Sequence, residues 1–138
     1  MKEVVNLLMQ DIRAHAWAQR HTRPSMSRRA WIAQNQTLRL TSYRGAGHSQ
    51  SIQELARLGD IVIHGQPQHK PVGTAVNFRA ADLQVGGFTG MRVNPEVIWI
   101  DAASLPPLAT ASLEADMWKS LEHALVPGAY PCIVILGG

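Results

Sequence analysis

The sequence predicts a single α+β domain with a mixed, mainly antiparallel sheet of five or six strands, an N-terminal helical hairpin and a C-terminal helix. Apolar residues recur at helical spacing near both ends of the chain. Short β-branched runs lie between them. No helical pattern separates the strands expected between residues 60 and 100, so antiparallel pairing should dominate there. A fully parallel, doubly wound sheet is the alternative.

The chain length and composition favour one soluble domain over residues 1–138. With 138 residues, 46% of them hydrophobic and 17% charged, the chain can bury a core without disulfides. No apolar run approaches the roughly 20 residues that a bilayer requires, so no membrane association is expected. The N-terminus lacks the uninterrupted apolar segment of a secretory signal, which predicts a cytoplasmic location.

The first 35 residues are expected to form the helical hairpin. An amphipathic helix is predicted from residue 3 to about residue 20, because apolar side chains recur every three or four positions: Val4, Val5, Leu8, Met9, Ile12 and Ala16. Pro24 disfavours helix at the residue before it. Ser25 or Ser27 can then cap a second, shorter helix that runs through Ala30, Trp31, Ile32 and Ala33.

A strand, a glycine turn and a short helix follow the hairpin. Alternating apolar and polar residues predict a strand from Thr37 to Tyr43. Ser51 and Glu54 have the spacing of a capping box, which predicts the start of a helix of about two turns. Gly59 supplies its left-handed stop.

The second half of the chain carries the remaining strands and one long helix. Strands are expected over residues 60–64, 74–79, 97–100 and 133–136. Between residues 83 and 93, three glycines favour a hairpin or bulged ribbon over a helix. The helix before the last strand has an apolar stripe of Leu113, Met117, Leu121 and Leu125.

The net charge of +3 conceals an asymmetry between the two halves. Residues 1–70 hold ten Lys or Arg against four Asp or Glu, whereas residues 71–138 hold three against six. Seven arginines fall within 32 positions: Arg13, Arg20, Arg23, Arg28, Arg29, Arg39 and Arg44. Such a surface indicates an anionic partner, or a solvated basic face that pairs with the acidic second half.

The glycine turn before the short helix is the main candidate binding site. Backbone N–H groups between Gly47 and Ser51 would bind an anion, since the first turn of a helix leaves them without intrahelical acceptors. The proposed ligand-binding residues are Arg44, Gly45, Gly47, His48 and Ser49, helped by Arg28, Arg29 and Arg39. The spacing matches neither the Gly-x-x-x-x-Gly-Lys-Ser/Thr phosphate loop nor Gly-x-Gly-x-x-Gly. A tight turn that needs only a positive φ would have the same sequence.

Two histidines are candidate catalytic residues. His48 is expected to open a helix and His64 to end a central strand, and either side chain could act as a general acid or base. Asp60 or Asp101 could orient an imidazole, with a serine as nucleophile. No metal site or cofactor is expected, because the six histidines show no i, i+4 pair on one helix and no cysteine partner. The single cysteine, Cys132, lies in an apolar run and is expected to be inert.

The leading functional hypothesis is a binding domain. The basic surface around its glycine turn would bind a phosphorylated small molecule or a nucleic-acid backbone. A histidine-dependent hydrolase or transferase that uses His48 and His64 is one alternative. A homo-oligomeric structural or interaction module, formed through the first helix or an exposed strand edge, is another.

Overall fold

A computed structural model describes residues 2–41, 47–67 and 70–137. In this part of the chain the α-helices are α1 (Lys2–Ala18), α2 (Arg28–Asn35), α3 (His48–Leu55), α4 (Ala80–Gln84) and α5 (Pro107–Ala124), and a 3₁₀ helix spans Arg20–Ser25. The strands are β1 (Thr37–Leu40), β2 (Ile61–His64), β3 (Val76–Arg79), β4 (Val97–Ala102) and β5 (Cys132–Gly137). Among the described residues, none of the helices combines the length and the apolar character that a membrane span requires.

The five strands form one sheet in the order β1-β5-β4-β2-β3, and every neighbouring pair is parallel. The prediction of a mainly antiparallel sheet is therefore wrong. Strands β2, β4 and β5 are buried along their whole length. This burial on both faces is typical of a parallel sheet covered by helices on each side.

The connections explain why the antiparallel prediction failed. The chain passes from β2 to the parallel strand β3 through residues 65–75, and residues 65–67 and 70–75, the part of this connection that the structure describes, include no helix. Val72 of this connection packs in the same apolar cluster as Val62, so the segment covers one face of the sheet as a crossover helix would.

From β3 the chain returns through α4 and a series of turns. A hairpin or bulged ribbon was expected between residues 83 and 93, but no strand lies in this segment, all of which the structure describes. Gly86, Gly87 and Gly90 instead form turns, in which each adopts a positive φ angle.

Helices cover both faces of the sheet. Val5 and Met9 of α1 and Ile52 of α3 pack on one face against Val62, Trp99 and Val134. On the other face, Trp31 of α2, Leu83 of α4 and Met117 of α5 pack against Ile63, Ile98 and Ile133.

The N-terminal helical hairpin is also a wrong prediction. The segment begins with one long helix, α1, of 17 residues. A 3₁₀ helix containing Pro24 then leads to α2, which packs on the opposite face of the sheet. Because each helix buries its apolar side against the sheet, the two do not pair along their length.

Candidate functional site

The carboxyl ends of the strands form a polar edge around β4. The strand register places Leu40, Leu136, Asp101 and His64 in one row across β1, β5, β4 and β2. Leu136 faces the layer formed by α1 and α3. Since residues in one row of a sheet point to the same face, the buried side chains of Asp101 and His64 also face this layer. The carboxyl edge of a parallel sheet is where such folds usually bind ligands.

Helix α3 begins at this edge. Gly47 is its N-cap, with φ 80° and ψ 28°, a left-handed conformation that favours glycine. The first intrahelical bond joins Ser51 N to Gly47 O at 2.9 Å. Ser51 is therefore not the cap that the Ser-x-x-Glu spacing predicted, and its hydroxyl donates to Gly47 O within the helix. The backbone N–H groups of residues 48–50 are those that the helix itself leaves without an acceptor.

A hydrogen bond connects the start of α3 to the end of β4. The Ser49 hydroxyl donates to Asp101 Oδ2 at 2.6 Å. The other carboxylate oxygen, Oδ1, accepts from the backbone N–H of Ala103 at 3.2 Å. Ser49 is exposed, whereas Asp101 is 3% exposed. A hydroxyl and a carboxylate thus lie next to the first turn of a helix, 52 positions apart in the sequence.

The fold also fixes His64, the neighbour of Asp101 in the strand register. Its Nε2 lies 2.7 Å from Asn77 Oδ1. The amide nitrogen of Asn77 donates to the carbonyls of Val72 and Ala75, and Oδ1 accepts from Val72 N. Because Oδ1 acts as an acceptor, Nε2 of His64 carries the proton, which makes Nδ1 the basic nitrogen of the neutral ring.

His48 occupies the first position of α3 and is buried. Burial lowers the pKa of His48 from its usual value, and the negative charge of Asp101 opposes this effect. The neutral imidazole is therefore favoured near neutral pH.

A cavity of about 190 Å³ opens between these elements. Ser49, His64 and Asp101 line it together with Gln53, Lys70 and Val72. The cavity is smaller than the roughly 300–1,000 Å³ of a typical small-molecule site. It therefore has room for a small polar group of a ligand rather than for a whole drug-sized molecule.

The structure brings together only part of the predicted site. Gly47, His48 and Ser49 lie at the start of α3, and His64 lines the same cavity as Ser49. Arg44 and Gly45 lie outside the described residues. Asp60 lies before β2, where its carboxylate accepts from Trp99 Nε1 and Arg57 N, so it does not orient an imidazole at the carboxyl edge.

Arg28 has a structural role at the opposite edge of the sheet. Its guanidinium donates to the carbonyl oxygens of Glu122 and Val126, each at 2.9 Å, and to that of Ala129 at 3.2 Å. These carbonyls lie at the carboxyl end of α5 and in the turn after it, just before β5 begins. Arg28 therefore caps α5 and is not brought to the start of α3.

Arg29 and Arg39 lie on the α5 side of the sheet. Arg39 forms a two-pronged ion pair with Glu114 of α5, with distances of 2.6 and 2.7 Å. The guanidinium of Arg29 lies 5.9 Å from the centroid of the Trp118 ring. Helix α3 packs on the other face of the sheet, so these two side chains do not reach it.

The sequence did contain a signal for the pairing of Ser49 with Asp101. Gly47, His48 and Ser49 correspond to the last three positions of the Gly-x-x-x-x-Gly-Lys-Ser/Thr phosphate loop, with histidine in place of lysine and Ser42 in place of the first glycine. Asp101 directly follows an apolar run, as a carboxylate at the end of a buried strand does. Without the strand order, however, the sequence does not show that Ser49 and Asp101 lie next to each other.

No group of three or more His, Cys, Asp or Glu side chains in the described part of the chain could hold a metal ion. Comparison of the chain with protein families, curated proteins and solved structures finds no significant match.

Proposed function

We propose that the carboxyl edge of the sheet binds a phosphorylated small molecule together with a divalent cation. The observation that carries this proposal is the 2.6 Å hydrogen bond between Ser49 and Asp101 at the first turn of α3. The N–H groups at the start of the helix would bind phosphate oxygens. The serine hydroxyl and the aspartate carboxylate would bind the cation.

The donor set fits Mg²⁺, which prefers oxygen ligands and is usually bound by one or two carboxylates plus substrate phosphates and water. The described residues provide no cage of three metal-binding side chains. A cation at Asp101 would therefore be held jointly by protein and phosphate. When bound, it would neutralise part of the phosphate charge.

Nucleotide-binding phosphate loops combine a strand, a loop, a helix with an N-terminal Ser or Thr, and a carboxylate on another strand. The positions of β1, α3, Ser49 and Asp101 support the same combination in this chain. His48 stands where the signature has lysine. Because the neutral imidazole is favoured there, phosphate charge would be balanced mainly by the cation.

A small molecule is favoured over a nucleic-acid backbone at this edge. The basic residues that would follow a polyanion, Arg28, Arg29 and Arg39, lie on the other face or at the other edge of the sheet. The cavity beside Ser49 is a small one of about 190 Å³ rather than an extended groove.

Isothermal titration with ATP and with inorganic triphosphate, each with and without Mg²⁺, tests the proposal. Asp101→Asn and Ser49→Ala should weaken the Mg²⁺-dependent binding by about tenfold or more, since each removes an oxygen that holds the cation. Asp11→Asn and Ser112→Ala, two exposed positions on α1 and α5, are matched controls and should bind as the wild type does. Absence of saturable binding, or equal losses in the control variants, would contradict the proposal.

Hydrolysis of the bound phosphate is a second candidate function, favoured by the position of His64. This side chain lies beside Asp101 in the sheet and lines the same cavity as Ser49. Its hydrogen bond to Asn77 Oδ1 assigns the proton to Nε2, so the buried Nδ1 is the acceptor nitrogen of the neutral ring. If hydrolysis occurs, His64→Ala should lower phosphate release while ATP affinity stays constant. Absence of phosphate release from wild-type protein would exclude this function but not the binding proposal.

A further inference from the structure

A groove lies at the amino edge of the sheet, away from the cavity of the candidate phosphate site. Its volume is about 390 Å³, and its lining includes Arg13, Trp17, Arg23, Gln36, Glu96 and Tyr130. Glu96 directly precedes β4, whereas Asp101 lies near the other end of that strand. At about 3.3 Å per residue, the two sites are separated by about 16 Å along β4. They are therefore distinct surfaces.

The groove carries an excess of positive charge. Arg13 and Arg23 line it and Arg20 lies beside it, and none of the three forms a salt bridge with any described residue. Glu96 is the acidic side chain of the lining. In this they differ from Arg28 and Arg39, whose guanidinium groups pair with the carboxylates of Glu122 and Glu114.

An exposed indole accompanies these charges. Trp17 is 67% exposed, which is unusual for so large an apolar side chain. It lies four positions after Arg13 on α1, so both side chains are on the same face of the helix. The guanidinium of Arg20 stacks at 3.9 Å from the Trp17 ring centroid and donates to Trp17 O at 2.6 Å. This contact fixes the indole without burying it.

Arg23 is held in a fixed orientation by two aromatic rings. Its guanidinium carbon lies 4.5 Å from the centroid of Trp31 and 4.1 Å from that of Tyr130. Its Nε is buried and has no hydrogen-bond acceptor among the described residues. Buried donors normally have an acceptor, so this guanidinium has hydrogen-bonding capacity that the described residues do not use.

We infer that this groove binds single-stranded nucleic acid, with phosphates at Arg13, Arg20 and Arg23 and a base stacked on Trp17. Proteins that bind single strands combine a basic groove with exposed aromatic rings, because the backbone is anionic and every unpaired base offers a flat face. In a duplex the bases are stacked inside the double helix, so none of them would be available to stack on the Trp17 indole. The inference is independent of the phosphate site around Ser49.

Fluorescence anisotropy with a labelled oligothymidylate of about 16 nucleotides, a length that spans one site, tests the inference. Affinity should fall steeply as the salt concentration rises from about 50 to about 200 mM. In Arg13→Gln, the negative slope of log K against log salt should decrease in magnitude by about 0.7, because one phosphate contact is lost. Trp17→Ala should weaken binding about fivefold or more, whereas Trp17→Phe should retain most of it because phenylalanine also stacks. Oligonucleotide should quench tryptophan fluorescence in the wild type and much less in Trp17→Phe.

Lys119→Gln is the matched control, because it removes one positive charge from an exposed position on α5. It should bind as the wild type does, and so should Ser49→Ala, which alters only the phosphate site. Salt-independent binding, or an equal loss in Lys119→Gln, would overturn the inference. Preferential binding of anionic phosphatidylserine vesicles would assign the groove to a membrane surface instead. Self-association that Trp17→Ala abolishes would assign it to a second copy of the chain.

Discussion

Trp99 in the middle of the sheet donates a hydrogen bond from its indole Nε1 to Asp60 Oδ2 at 3.1 Å. The same carboxylate oxygen accepts from the backbone N–H of Arg57 at 2.9 Å. Trp99 is 1% and Asp60 3% exposed. A buried carboxylate thus joins the turn before β2 to the side chain of a strand in the centre of the core.

This relationship predicts a stabilising role for Asp60. Asp60→Ala should lower the free energy of unfolding by about 2–3 kcal/mol, because it leaves the buried Trp99 N–H without an acceptor. Asp60→Asn keeps an acceptor oxygen and should lose less. Urea denaturation followed by circular dichroism measures both, with the exposed Asp11→Asn as control. If Asp60→Ala unfolds at the same urea concentration as the control, the hydrogen bond has no stabilising role.

Gly65 is predicted to be a position at which a single added methyl group disturbs the phosphate site. A Cβ at Gly65 would lie 2.4 Å from Leu105 Cδ1 and 2.8 Å from the backbone oxygen of Asp101. Gly65→Ala should therefore displace Asp101, lower the free energy of unfolding by about 1–3 kcal/mol, and weaken phosphate binding. Gly65→Ala/Leu105→Ala should recover only part of the binding, since the clash with the backbone remains.

Gly73→Ala is the control for this substitution, because nothing lies within 4 Å of the Cβ position there. It should be neutral or stabilise the protein slightly, by about 0.4–1 kcal/mol. Isothermal titration and urea denaturation measure both effects. Full recovery in the double variant would show that only the Leu105 side chain restricts this position.

The sequence patterns predict individual elements better than their arrangement. Periodicity places the first helix within two residues of its observed bounds, Lys2–Ala18. The strands expected over residues 60–64 and 97–100 are observed as Ile61–His64 and Val97–Ala102, the second two residues longer than expected. Their continuous apolar character also favoured a parallel sheet. The absence of helices between them favoured the opposite arrangement, because a crossover formed by an irregular loop such as residues 65–75 has no periodic pattern.

The candidate site was predicted in part for a similar reason. The glycine before α3 is a local signal, and the positive φ of Gly47 agrees with it. The contact between Ser49 and Asp101 depends on β5 lying between β1 and β4, which is a property of the whole sheet. The arginines were grouped because they are close in sequence. Successive elements carry them to different faces, so Arg28 and Arg39 bind α5 while Arg13 and Arg23 line the groove at the amino edge.

Arg28 is predicted to stabilise the protein without contributing to ligand binding. Arg28→Met removes hydrogen bonds to the carbonyls of Glu122, Val126 and Ala129 at the end of α5. It should lower the free energy of unfolding by about 1.5–3 kcal/mol, the usual contribution of hydrogen bonds to a charged group. Arg29→Met, the neighbouring exposed position, is the matched control. A loss of ATP binding in folded Arg28→Met protein would show that Arg28 also serves the site.

The thiol of Cys132 is predicted to be unreactive in the folded protein and to make stability depend on alkaline pH. Burial raises the pKa of Cys132 from 9.0 to about 11, although the positive charge of Arg13 acts in the opposite direction. The folded state therefore holds the proton more tightly than the unfolded state, so the contribution to stability is complete below pH 9 and is lost as the pH rises towards 11. Iodoacetamide should modify the thiol slowly in buffer and rapidly in urea, as mass spectrometry would show. Since this is the only cysteine of the chain, the readout is unambiguous, and equal modification rates in both conditions would contradict its burial in β5.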